Sequence, residues 1–293
     1  MTVLVVGASG VVGRALIPIL VERDEVRASV RRPHAADALR SAGAKVAVGS
    51  FGDVGSLAEI MRRVYTVIHL VGGPDQPDDD AVLAANHGSV MMALDAARES
   101  KVRRFILVSA VGAALDASHP YLRSKGLAEE AVAASGLEHA IVRSTHAYGL
   151  GGLWFAATVE GATASPPFTI GDGSASIAPV FVDDLAGVLA AADDREGPLE
   201  GTWAIEGPDA LTVSELAKLL GSDGVPPISR SPADAAVRLS DAFGVPFSRT
   251  AAEFFAMPSR ADALDAAAAF GIRRTSLADG LRSTVERSSA AER

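Results

Sequence analysis

The chain has 293 residues, 48% hydrophobic and 22% charged, enough for one large α/β domain or one and a half. It contains no cysteine, which excludes disulfides, thiolate metal sites and cysteine nucleophiles, and its net charge of −9 argues against nonspecific binding to DNA or RNA. No apolar stretch approaches the roughly eighteen residues of a membrane span, and no basic, cleavable leader is visible. A cytoplasmic protein acting on a small molecule is expected, without membrane or nucleic-acid partners.

Val3-Leu4-Val5-Val6 predicts a first strand at 3–6 and runs into Gly7-Ala8-Ser9-Gly10-Val11-Val12-Gly13. Val12, Leu16, Ile19 and Leu20 then fall on one face of a helix over 11–22. Strand, glycine turn and helix form the setting in which a dinucleotide phosphate binds: bare backbone turns sharply and approaches the pyrophosphate, and the helix start offers unpaired N–H groups and a positive dipole end. Gly7, Ser9, Gly10, Val11, Val12 and Gly13 are the expected cradle; a plain structural turn is the alternative. Pro18 lies inside this helix and is expected to kink it.

Further strands are predicted at 26–30, 45–48, 67–70, 105–108 and 140–143, with helices at about 35–42, 56–64, 80–99 and 121–135. Nearly continuous apolar strands alternating with helices imply a Rossmann-type, doubly wound parallel sheet covered on both faces. The second strand ends in Ser29-Val30-Arg31-Arg32, where NAD-preferring sheets usually place an acid for the ribose 2′-hydroxyl. Two guanidinium groups suit a 2′-phosphate instead, which favours NADP(H) over NAD(H); a solvated arginine pair is the other reading. Asp53 can accept from an adenine amino group or cap a helix. Val71, Gly72 and Gly73 follow the fourth strand, where small backbone admits a cofactor or simply turns. The acidic run at 76–80 reads as a solvated loop before a helix.

Tyr121 and Lys125 stand four apart at a helix start, on one face. A phenol near pKa 10 is a poor acid–base group at neutral pH, and a neighbouring ammonium is expected to lower that pKa. Tyr121 can then exchange a proton with a carbonyl oxygen while hydride moves to or from nicotinamide, and Lys125 can also hold the nicotinamide ribose. Ser109, at the end of the fifth strand, can orient a substrate carbonyl, touch the ribose, or only satisfy the strand end. His119 is a second proton donor or an ordinary loop histidine. The six histidines show no ligand spacing, so no metal site is expected.

The second half changes character. Residues 149–179, rich in Gly, Ser, Thr and Pro, read as loop with short pieces of structure; a strand at 179–182, a helix at 183–192 and a strand at 202–205 follow. Thr212 and Glu215 form a capping box opening a helix to 220. Helices are predicted at about 232–243, 250–256 and 260–270, with a frayed tail from 288. The chain thus divides into a nucleotide-binding core at 1–148 and a substrate lobe at 149–293, with 179–192 returning to the core. Trp154, Phe155, Phe168, Phe254 and Phe255 form either an apolar substrate surface or core. A homodimer through exposed helix faces is compatible with the pattern.

On these residues the chain resembles the short-chain dehydrogenase/reductase superfamily, in its extended and atypical, epimerase-like or isoflavone-reductase-like branches. Asn86-His87-Gly88-Ser89, Ile141-Val142-Arg143 with Tyr148-Gly149, Phe181-Val182-Asp183-Asp184-Leu185-Ala186, and Glu206-Gly207-Pro208 with Leu211-Thr212 and Glu215-Leu216 are similar to that family's successive motifs. The chain departs from the pattern in three places. Ser144 replaces a usual proline, Val111 stands where extended members carry a catalytic Ser or Thr, and Ser109 lies unusually close to Tyr121. The resemblance implies a Rossmann core, a nucleotide cofactor and a C-terminal substrate lobe. The expected function is an NADP(H)-dependent oxidoreductase acting on a small carbonyl, quinone or enone. A non-catalytic NADP(H)-binding sensor or scaffold and a nucleotide-sugar epimerase or dehydratase are the alternatives.

Overall fold

The computed structural model describes residues 1–49, 53–221 and 225–291. Its centre is a sheet of eight parallel strands. In chain order, β1 (Thr2–Val6), β2 (Glu25–Val30), β3 (Lys45–Val48), β4 (Thr66–His69), β5 (Arg104–Ala110) and β6 (Glu138–Ser144) build the order 3-2-1-4-5-6. Glu200–Ile205 then pairs with β6, and Leu264–Asp265 pairs with Glu200–Ile205 as the last strand. The helices between them are α1 (Val11–Val21), α2 (Ala36–Ser41, after a 3-10 turn at Pro33–Ala35), α3 (Val54–Met61), α4 (Asp79–Leu83), α5 (Ser89–Glu99) and α6 (Pro120–Ala133).

Side-chain alternation divides the core. Val3 and Val5 of β1 and Ile106 of β5 pack with Leu16, Ile17 and Leu20 of α1 and with Leu185 and Leu189 on one face. Leu4, Val6, Phe105 and Leu107 point to the other, against Leu57, Met61 and Leu94. A third cluster, with Trp154, Phe168, Val213, Leu239 and Phe255, forms the core of the C-terminal lobe.

The boundary at 148 is crossed repeatedly. The helix Val182–Asp194 lies against α1, and both Glu200–Ile205 and Leu264–Asp265 extend the main sheet. Several expectations are corrected. The stretch 149–179 holds more than short pieces of structure: besides short strands at Phe168–Ile170 and Ser176–Ile177 it carries the 11-residue helix Leu153–Thr163. Gly161 disguises that helix, yet a Cβ there would meet the Phe168 carbonyl oxygen at 2.7 Å, so close packing requires the glycine. The 260–270 segment is the strand Leu264–Asp265 followed by a short helix, Ala266–Phe270. The expected fraying from 288 gives way to the helix Leu277–Ala291, on which Arg287 is ion-paired with Asp183. α1 runs from Val11 to Val21 through the exposed Pro18. The helix expected at 80–99 is divided into α4 and α5 by a π turn at Ala84–Gly88.

Two carboxylates attach the terminal helix to the core. Buried Asp184 accepts from the Thr275 N–H and hydroxyl, both at 2.7 Å, and Asp209 accepts from the Leu277 N–H at 2.7 Å. Asp184→Ala leaves the Thr275 donors without their partner and is expected to lower stability by about 1–3 kcal/mol. Urea unfolding checks this; an unchanged midpoint would contradict the clasp.

Candidate active site

All strands of a parallel sheet end on one edge, and every site candidate except Asp53 follows a strand end or packs there. Gly7, at φ +85, closes the turn after β1; a Cβ on it would lie 2.9 Å from the Val71 side chain. Gly13 is pressed against β1: a Cβ there would meet the Ala8 carbonyl oxygen at 2.3 Å. Gly10 differs, because its Cβ position meets only the Gly7 oxygen at 3.5 Å. It caps α1 without a side-chain hydrogen bond, and the first turn carries no acid. The result is an open, uncapped helix start lined by Ser9, Gly10, Val11 and Val12, which fits a pyrophosphate. Arg14 braces the turn, donating to the Leu150 oxygen at 3.2 Å.

Arg31 and Arg32 are exposed beyond β2 and make no ion pair among the described residues. Asp53 is the N-cap of α3, accepting from the Ser56 N–H at 2.8 Å and the Ser56 hydroxyl at 3.0 Å, which holds its carboxyl below the usual range. That is the capping reading of this residue. At Gly72 the structural demand comes from inside the protein: a Cβ would fall 2.2 Å from the Asn86 Oδ1. Asn86, fully buried in the π turn, accepts from the Gly73 N–H at 3.0 Å and donates to the Gly73 oxygen at 3.1 Å. Gly73 itself faces open space. Asp75, in the run after it, accepts from the Ser248 N–H at 2.7 Å and ties this loop to the helix Arg249–Phe255.

Tyr121 and Lys125 share a face of α6, with the Lys125 Nζ 5.9 Å from the phenol ring centre. Both are buried. The Lys125 ammonium donates to the Val108 carbonyl oxygen at 3.0 Å, and burial brings its pKa down to about 8, opposed by Glu129. Burial pushes the Tyr121 phenol up, not down. The phenol is therefore raised where a depressed one was expected, because the ammonium is turned to Val108 and apolar groups surround the ring. Ser109 is buried at the end of β5 with its hydroxyl unpartnered among the described residues. Arg143 of β6 joins α6 to the C-terminal lobe, donating to Glu129 at 2.7 Å and to Asp262 at 3.2 Å.

Three residues outside the sequence-predicted set adjoin this cluster. His69, at the end of β4, is fully buried, stacks on Phe105 with ring centres 6.0 Å apart, and is held at about 3 by burial and by the Lys125 charge. His146 is stacked on Trp154 at 4.9 Å. Asn86 was legible in part: an asparagine inside a helical run is a poor helix former and marks a special position. His119, read as a loop residue, is the N-cap of α6; its Nε2 lies 3.1 Å from the Thr250 oxygen. Of the aromatic residues, Phe168 and Phe255 are core, whereas Phe254 touches Tyr121.

Three cavities lie away from this edge, one of them a shallow space of about 250 Å³ beside Arg27, Lys45 and Ile60. One of about 10 Å³, enclosed by Ala157, Phe168, Ala217 and Phe255, has room for one water. A cleft of about 510 Å³ at the strand starts is lined by Arg23, Tyr65, Arg104 and Glu138, charges that already pair within the protein. Among the described residues no group of His, Asp or Glu is arranged to hold a metal, and no helix is long and apolar enough to cross a membrane.

The family profile for NAD(P)H-binding proteins matches residues 7–148. The (4-alkanoyl-5-oxo-2,5-dihydrofuran-3-yl)methyl phosphate reductase of Streptomyces griseus is 30% identical over 224 residues, 75% of this chain and 74% of that protein. The mitochondrial NADH dehydrogenase (ubiquinone) 1 alpha subcomplex subunit 9 of Arabidopsis thaliana is 30% identical over 181 residues, 57% of this chain and 42% of that one. Among solved structures, the UDP-glucuronic acid 4-epimerase of Bacillus cereus with UDP-glucuronic acid and NAD superposes at a TM-score of 0.74, with 18% identity and 98% of each chain covered. The chain belongs to the short-chain dehydrogenase/reductase superfamily, with an NAD(P)H-binding domain and a reductase relative.

The depressed Lys125 has a consequence for stability. A lysine whose folded pKa lies near 8, below its unfolded 10.5, binds fewer protons folded than unfolded between those values, so it raises stability as the pH climbs through that window. Lys125→Met removes this rise. The stability of the variant relative to wild type is expected to fall between pH 7 and pH 10, measured by urea unfolding at both; a constant difference would contradict the burial of the charge.

Proposed function

We propose that the chain is an NADP(H)-dependent oxidoreductase that reduces a small carbonyl, quinone or enone substrate. The observation that carries this reading is the Tyr121–Lys125 pair, buried at the sheet edge that also carries the uncapped start of α1. Ser9 to Gly13 hold the pyrophosphate on backbone N–H groups, and Arg31 and Arg32 hold the 2′-phosphate by charge-assisted hydrogen bonds. A nicotinamide bound at this edge supplies the hydride. Tyr121 gives its phenol proton to the substrate oxygen as negative charge develops there. Lys125 stabilises the phenolate left behind, for which its ammonium turns from the Val108 oxygen toward the ring. The unpartnered Ser109 hydroxyl donates a second hydrogen bond to the same oxygen. The S. griseus relative, a reductase by name, supports this class of reaction.

One observation favours a second reading, a non-catalytic NADP(H)-binding protein. Burial raises the Tyr121 phenol, and Phe254 lies against its ring. Tight NADPH binding with no oxidation across a carbonyl and quinone panel would select that reading.

Tyr121→Phe is expected to lose at least about tenfold in turnover while NADPH affinity holds; normal turnover would remove Tyr121 from the chemistry. Replacing both Arg31 and Arg32 by Ala is expected to weaken NADPH by at least about tenfold and leave NADH unchanged, read by calorimetry. Equal losses for both nucleotides would contradict the 2′-phosphate assignment.

A further inference from the structure

The surroundings of Tyr121 have a definite chemistry. The Phe254 ring meets the Tyr121 ring edge-on with centres 4.7 Å apart, and also meets His146 at 5.1 Å and His119 at 5.9 Å. Tyr121, His119 and His146 are all buried, whereas Phe254 is only half-buried. Ala117 and Met257 complete an apolar surround. Neither histidine brings a cation: burial holds His146 at about 3 and lowers His119, so both are neutral at physiological pH. One ring nitrogen of each, Nδ1 of His119 and Nε2 of His146, is buried without a partner among the described residues. The side-chain charges that reach His119 are those of Glu253 and Asp79, both acidic.

We propose that Phe254 is the specificity-determining wall of the substrate site, and that the site takes an uncharged carbonyl compound whose alkyl or aromatic arm lies on that ring. This rests on Tyr121 being the proton donor. A carbonyl oxygen at the Tyr121 hydroxyl brings its substituents next to Phe254 and Met257, where an apolar arm loses contact with water and a hydrated sugar ring loses hydrogen bonds without replacement. The free nitrogens of His119 and His146 can satisfy one neutral polar group near the arm.

The test is binding, not turnover. Straight-chain methyl ketones from 2-butanone to 2-octanone are titrated into the protein saturated with NADP⁺, where no hydride is available, and followed by calorimetry and by the fluorescence of Trp154, which stacks on His146. Each buried methylene is worth about fourfold in affinity, so the series is expected to tighten by at least about tenfold. Phe254→Ala is expected to flatten that gain to under about threefold, while Phe254→Leu, which keeps an apolar wall and guards against local unfolding, retains most of it. NADP⁺ affinity should hold in both. Affinity independent of chain length, or a gain untouched in Phe254→Ala, overturns the proposal. Consumption of NADPH with the same ketones is scored separately: binding with the expected slope but no consumption refutes the reductase reading and leaves the wall in place.

Discussion

The contact on which the rest of the structure depends is the crossing of α1 over the end of β1. At Gly13 the helix is so close to the Ala8 carbonyl that no side chain fits between them. That approach, with the positive-φ turn at Gly7, aims the start of α1 at the sheet's ligand-binding edge and leaves its first N–H groups without a side-chain cap. It also seats α1 against the helix Val182–Asp194, so the second half of the chain is folded back onto the first. A helix start in this state lacks partners for its donors, and an anion is the natural complement.

The protonation of the Tyr121–Lys125 pair follows from burial. Water is excluded around Tyr121, Lys125 and His69, and each is driven toward its neutral form: the phenol up, the ammonium and imidazole down. A low-dielectric site of this kind strengthens any charge that a ligand brings in. The lysine is satisfied by Val108 and the phenol lies against Phe254. Asp75, Arg143 and Asp262 link the sheet-edge loops to the C-terminal lobe.

The nucleotide half was legible because its signals are local. The apolar runs of the first six strands lie within two residues of the observed strands, and the Tyr–Lys spacing places two side chains on one helix face whatever surrounds them. The Thr212–Glu215 capping box and the helix Pro232–Phe243 were read for the same reason. What the sequence hid depends on distant partners. Gly161 reads as a loop signal until Phe168 is seen packed against it. Gly72 reads as a cofactor contact or a simple turn, and only the fold shows that Asn86 occupies the space a Cβ there would need. The terminal helix is clasped by Asp184 and Asp209, residues far away in sequence. The site's aromatic wall likewise joins α6, the segment around His146 and the helix Arg249–Phe255, and nothing in the spacing of Phe254 from Tyr121 reveals their contact.

The central claim is that the open start of α1 holds the pyrophosphate of a nicotinamide dinucleotide. Gly10 offers a direct test, because its backbone suits any residue at φ −68 and its Cβ position is unobstructed. An aspartate there can cap the helix, so the fold should hold or gain slightly, while its carboxylate occupies the place of the phosphates and repels them. The measurement is NADPH affinity by calorimetry in wild type and Gly10→Asp, with thermal unfolding alongside. Undiminished melting with affinity reduced by at least about a hundredfold is the expected result; equal affinity in the two proteins would place the nucleotide elsewhere and contradict the account.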